Sequence, residues 1–214
     1  MATAATEESP AEQLLQSTWV PIKPKVLALL ASSTNTCSAA EYSSIYTTVH
    51  NYVCDCRADL CGLYMCVEDT IDDYCDNVRK RFLASPAKTS VEAAQALAFY
   101  NARMKTLFAR GSLLDRMFRP LIALFVEKIN KGSTNVLCFS QKSIFIWKER
   151  VFTQSGVLEK FISSLFLLIE KERDLTFPSS SSLATSRYTQ LIKDSILSLC
   201  KKPVQYIHFD FVSV

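Results

Sequence analysis

The chain has 214 residues with 24 basic and 21 acidic side chains, a formal net charge of +3, so it lacks the strong positive field on which nucleic-acid binding draws. Hydrophobic residues make up 49% and charged residues 21%, the usage of a chain that folds around a core, and this length needs neither disulfides nor a metal to close that core. The longest apolar stretches, near Val26 to Ala31 and Phe161 to Ile169, fall far short of the roughly 20 residues that span a bilayer, so no membrane span is expected.

Met1 to Glu12 is small, polar and acidic, without the basic flank and apolar stretch of a secretory signal. Residues 1–12 are therefore expected to be a disordered head, and the chain to reside in the cytoplasm or nucleus. In that reducing setting the eight cysteines (Cys37, Cys54, Cys56, Cys61, Cys66, Cys75, Cys138 and Cys200) are expected to be packing thiols rather than disulfides. Only four glycines occur, and hydrophobic residues recur at three- and four-residue spacing in long blocks, which predicts an all-α fold.

Leu15, Trp19, Ile22, Val26, Leu29 and Leu30 share one helical face, and Pro21 and Pro24 place the start of its regular part near Pro21. Ser38-Ala39-Ala40-Glu41 has the form of a capping box and opens a second helix reaching about Val53. From Leu60, the line Leu63 or Tyr64, Val67, Ile71, Tyr74, Val78 and Phe82 predicts a third helix, with Asp69, Asp72, Asp73 and Asp76 on its solvated side. Its last turn is basic, Arg79-Lys80-Arg81, which suits the negative end of a helix dipole and reads as a solvated terminus.

A loop containing Pro86 follows, and Thr89-x-x-Glu92 opens a fourth block with Leu97, Tyr100, Met104, Leu107, Leu114 and Phe118, weakened or bent at Gly111 and Pro120. After a break at Lys131-Gly132-Ser133, Val136, Phe139, Ile144, Trp147 and Val151 predict another helix. The next has Val157, Phe161, Leu165 and Ile169 facing inward. The serine run 177–182 reads as a linker and domain boundary, and Leu183 to Cys200 as a further helix ended by Pro203. The apolar Tyr206 to Val212 has no following element to bury it, as though the chain stops within a domain.

Catalytic constellations are lacking. The two histidines, His50 and His208, fall in different predicted domains, and neither a G-x-x-x-x-G-K-[ST] nor a G-x-G-x-x-G loop occurs, so no nucleophile dyad, nucleotide or cofactor is expected. Cys54-x-Cys56 and Cys61-x4-Cys66 invite a zinc reading, but on a helix Cys61 and Cys66 point about 140° apart, so no metal is expected. Asp72 and Asp73, adjacent on a helix, face different directions and form no carboxylate pair.

The second helix is richer in apolar surface than docking requires. Ile45, Val49 and Val53 suffice to dock it, yet Tyr42, Tyr46 and His50 form a second line at i, i+4 and i+8. Tyrosine brings large contact area, low entropy cost and a polar tip, so this line is either a protein-binding face or the flank of a wide core.

Trp19-Val20-Pro21-Ile22-Lys23-Pro24, followed by Glu41-Tyr42-Ser43-Ser44-Ile45-Tyr46-Thr47-Thr48-Val49-His50-Asn51-Tyr52, resembles the first two helices of the cullin family, whose second helix reads Y-x-x-L-Y-T-x-V-Y-N. Leu63-Tyr64, Leu114-Asp115-Arg116, Trp147-Lys148-Glu149-Arg150 and Leu168-Ile169-Glu170-Lys171-Glu172-Arg173 are similar to further family motifs in the same order. The resemblance is nearest to cullins that use Skp-type adaptors. It implies a non-catalytic, all-α scaffold of a ubiquitin ligase, with a five-helix repeat over 13–176 and the beginning of a second over 183–214.

It also implies that the second and fifth helices grip a BTB-fold, Skp-like adaptor carrying an F-box-type substrate receptor. By position, the second-helix contacts would be Tyr42, Ser43, Tyr46, Thr47 and His50, and the fifth-helix contacts Leu137, Ser140 and Ile144. Ser43 stands where the subgroup carries a larger apolar residue, and Ser140 where many members carry an aromatic, which lowers the expected affinity or retargets it. The family's RING-binding region has no counterpart in the sequence, so no RING subunit is expected. The chain is then a fragment of a longer scaffold or a truncated cullin-like protein that occupies adaptors unproductively.

Overall fold

The computed structural model describes residues 9–32, 37–55, 57–132, 136–176 and 186–200. They form helices and short connections, with no strand among them, as the all-α reading requires. The expected linker at 177–182, His208 and the apolar stretch 206–212 lie outside the described residues.

Helix α1 spans Pro10–Ala31 and is opened by a reciprocal capping box in which Ser9 and Glu12 satisfy each other's main-chain amides. It therefore starts upstream of Pro21, and its first turn takes up residues 10–12 of the expected disordered head. Both internal prolines are tolerated because they lie on the wet side. Pro21 and Pro24 are exposed, as are Ser17 and Val20, whose carbonyls lose a helical donor to them, so both lost bonds fall on solvent-exposed residues. Helix α2 spans Ala39–Cys54 with the expected Ser38–Glu41 box, and α3 spans Leu60–Ala84. Within its last turns Asp76 pairs with Arg79 and, at 2.8 Å, with Lys80, while Arg81 stacks over Phe99.

Helix α4 runs Ser90–Met117 without a break at Gly111, and the Thr89–Glu92 box caps it. Pro120 does interrupt: after a turn at Phe118 comes the short α5, Arg119–Leu121, which continues as a π-helix over Ile122–Ile129. Helix α6 spans Phe139–Trp147 and runs into a second π-helix, Lys148–Phe152. Helices α7, Val157–Thr176, and α8, Ser186–Cys200, complete the set.

The chain divides into two compact units, Met1–Tyr74 with Phe108–Ser143 and Cys75–Leu107 with Ile144–Val214. In the first, α2 packs on α1 and α5, and the core combines Ile22, Val26, Leu30, Ile45, Val49, Leu63, Val67 and Leu114. Tyr64 lies between Phe125 and Phe139, each 5.3 Å away, and Phe118 meets Phe139 edge-on at 5.6 Å. Burying such side chains contributes about 1.5–3 kcal/mol apiece, so this cluster is a principal source of the unit's stability. An ion pair at 2.9 Å joins Lys142 to Glu68 with both side chains largely buried.

In the second unit Tyr100 is the hub, with Phe82, Trp147 and Phe161 within 5.2 Å of its ring and the Trp147 indole N–H donating to its hydroxyl at 3.2 Å. The Lys160 ammonium closes the end of α3 by donating to the carbonyls of Leu83 (2.9 Å) and Ser85. Helix α7 packs on α8, and Asn101 and Lys105 of α4 reach Ser195 and Asp194 of α8 at 2.9 and 2.7 Å. The inward line of α7 is Val157, Phe161, Ser164 and Leu168, not the expected Val157, Phe161, Leu165 and Ile169. Steps of four drift off a 3.6-residue turn, so Leu165 is only half-buried and Ile169 is 39% exposed.

Candidate functional site

Ile45, Val49 and Tyr52 bury the inner face of α2, with Val53 only half-buried, and this fixes what the neighbouring and outer faces present. Ser43, Tyr46, Thr47 and His50 are exposed there and Tyr42 is half-buried. The three rings form a stacked ladder: Tyr42 and Tyr46 have centroids 6.3 Å apart and planes at 13°, Tyr46 and His50 6.4 Å and 6°. No charged side chain interrupts these five positions, so a partner would meet an aromatic and hydroxylic, neutral surface.

The foot of the ladder is tied down from the end of α4. Pro120, four residues after Arg116, has no N–H to give the Arg116 carbonyl, and the Tyr42 hydroxyl donates to that carbonyl instead at 3.1 Å. At the other end the Cys54 thiol lies 3.9 Å from His50 Nε2.

Leu137, Ser140 and Ile144 fall around α6 in three different settings. Leu137 precedes the helix rather than lying on it, is half-buried, and has its main chain clamped by one phenol. The Tyr64 hydroxyl donates to the Leu137 carbonyl at 2.8 Å and accepts from the Leu137 N–H at 3.2 Å. Burial pushes the Tyr64 phenol well above its ordinary pKa, so it stays protonated and able to donate. Ser140 is half-buried in the first turn of α6, its hydroxyl 3.2 Å from the Cys138 thiol. Ile144, one turn further along α6, is half-buried and belongs to the second compact unit.

Two residues of α4 set where α6 begins. Gly111 is buried, and a Cβ there would come within 2.8 Å of Ser140 Cα and 3.2 Å of the Phe139 carbonyl, so the first turn of α6 rests on bare backbone. One turn on, the Asp115 carboxylate accepts from the amides of Phe139 (2.6 Å) and Ser140 (3.2 Å). It caps α6 from another helix. The sequence had marked Tyr64 as a candidate for the apolar line of the third helix and as part of a family-like motif, and Asp115 as part of another; that both anchor the approach to α6 depends on pairings 73 and 24 residues apart, which no local spacing reveals.

Among the described residues the cysteines do not gather into a cluster. Cys54 and Cys61 are exposed and Cys66 half-buried, so of the central group only Cys75 is the packing thiol expected, while Cys56 lies outside the described residues. Among the described residues no group of three or more His, Cys, Asp or Glu side chains is arranged to hold a metal, and no single helix is long and apolar enough to cross a membrane.

A family model described as the cullin alpha solenoid domain matches residues 19–206. No curated protein matches the chain.

Proposed function

The chain belongs to the cullin family and carries its scaffold-type solenoid domain, and from that premise we propose that it holds a Skp-type, BTB-fold adaptor, with an F-box-type receptor, as part of a cullin-RING ubiquitin ligase. The observation that carries this reading is the ladder of Tyr42, Tyr46 and His50, stacked and facing away from the core side of α2. A helix needs one apolar face to dock; a second, ordered aromatic face is free to bind. Preordered rings lose little entropy on association, and their polar tips make the unbound surface tolerable in water.

Ser43 and Thr47 flank the ladder, and Leu137 and Ser140 supply the second contact line near α6. The small Ser43 and half-buried Ser140 offer less area than large apolar residues would, so affinity rests on the tyrosines. The same reading places the chain in the cytoplasm or nucleus, which suits its exposed free thiols.

The test is titration of purified Skp-type adaptor into wild type and into a Tyr46→Ala/His50→Ala double variant. Anchors of this kind are worth about 2 kcal/mol or more, so binding should fall by at least about thirtyfold. Both side chains are exposed, and the thermal midpoint should barely move. No binding by wild type, or equal binding by the variant, would overturn the assignment; a collapse in melting temperature would put the rings in the core.

A further inference from the structure

We propose that Asp115 is the positioning residue of this surface: its carboxylate holds the first turn of α6, and with it the contact line of Leu137 and Ser140, in register with the ladder on α2. The inference rests on the adaptor-binding reading above and adds a residue that touches no partner.

A helix starting at Phe139 leaves its first amides without internal acceptors. Asp115 caps it from α4, accepting from Phe139 N–H at 2.6 Å and from Ser140 N–H at 3.2 Å, and its negative charge lies at the positive end of α6. The two-oxygen contact fixes direction as well as distance, because Oδ1 faces both amides while Oδ2 faces only Ser140. Gly111, one turn earlier on α4, lets the two backbones approach closely enough for the carboxylate to reach.

The neighbouring residue does the matching task for the other half. The Arg116 carbonyl, orphaned by Pro120, takes the Tyr42 hydroxyl at 3.1 Å. One dipeptide at the end of α4 thus holds the foot of the α2 ladder through a main-chain atom and the start of α6 through a side chain.

The experiment uses the full chain and purified Skp-type adaptor, with Asp115→Ala and the near-isosteric Asp115→Asn, which keeps one acceptor oxygen. In the free chain, Asp115→Ala should speed exchange of the Phe139 and Ser140 amides at least about tenfold, with α2 amides unchanged, and Asp115→Asn should fall between. Adaptor binding, measured well below the melting temperature, should weaken about tenfold in Asp115→Ala and less in Asp115→Asn. Combining Asp115→Ala with Leu137→Ala should cost little more than either alone, whereas combination with Tyr46→Ala should be additive.

Unchanged amide exchange would overturn the positioning role. So would a lowered melting temperature with affinity within twofold of wild type, or full additivity with Leu137→Ala. Absence of adaptor binding by wild type, alongside accelerated exchange in Asp115→Ala, would instead sink the adaptor reading and leave the anchoring of α6 established.

Discussion

Gly111 shows how one missing atom places a helix. A Cβ there would sit 2.8 Å from the Ser140 main chain and 3.0 Å from the Ser143 hydroxyl, and backbone cannot swing aside as a flexible side chain can. Gly111→Ala should gain helix propensity in α4 yet push α6 away, with a net loss of about 1–3 kcal/mol as in other overpacked interiors. Urea unfolding checks this: a midpoint equal to or above that of wild type would mean the contact is slack. The sequence offered Gly111 only as a weak point in a helix and Pro120 only as a bend. Their roles were illegible because each acts on a remote group: Gly111 on the first turn of α6, Pro120 on a carbonyl that Tyr42 then uses. That Tyr42, Tyr46 and His50 form one line beside Ile45 and Val49 was legible, since the face a residue takes on a helix follows from spacing; whether that line met solvent or flanked a wide core was left open, because that depends on what packs against α2.

At the scale of the helices, α2 and α4 begin where Ser38–Glu41 and Thr89–Glu92 say they should, because a capping box is a local device written wholly in four residues. The start of α1 escaped notice because a proline's cost depends on whether water reaches the freed carbonyl, and that is a property of the packed face. The π-helical stretches were invisible for a similar reason: amides that bond five residues back, as Asn130 to Phe125 and Thr153 to Lys148, leave no pattern in side chains. The α2 box has a pH signature. Hydrogen bonds from the Ser38 hydroxyl and Ser38 amide hold the Glu41 carboxyl below its ordinary value of 4.5. A depressed carboxyl stabilises the folded state above its unfolded pKa and loses that contribution as pH falls through the folded one. The first turn of α2 should therefore fray in acid, seen as faster exchange at Tyr42 to Ile45, and Glu41→Gln should remove that acid step while leaving α3 unaffected. An identical acid response in the variant would trace the fraying to another group.

Across the whole molecule, each compact unit seals a tyrosine hydroxyl whose titration reports on that unit. Burial pushes Tyr100 up to about 12 in one, opposed only partly by the bond from Trp147, and pushes Tyr52 up to about 12 in the other despite its bond to the Asp59 carbonyl. An unfolded tyrosine ionises near 10, so between about 10 and 12 the unfolded chain binds fewer protons than the folded one and stability falls as pH rises. The contribution is intact below the unfolded value and gone above the folded one. Tyr100→Phe should lower stability at neutral pH, since it removes the hydroxyl that accepts from the Trp147 N–H, yet flatten the alkaline decline of the unit formed by 75–107 and 144–214. Tyr52→Phe should do the same for the unit that carries the aromatic ladder, whose α2 it anchors to the approach to α3. Denaturant midpoints measured at intervals from pH 8 to about 11.5, with one probe in each unit, separate the two effects. If both variants keep the wild-type slope, Tyr52 and Tyr100 are not what limits alkaline stability, and Tyr64, whose phenol burial also pushes well above its ordinary value, becomes the group to remove next.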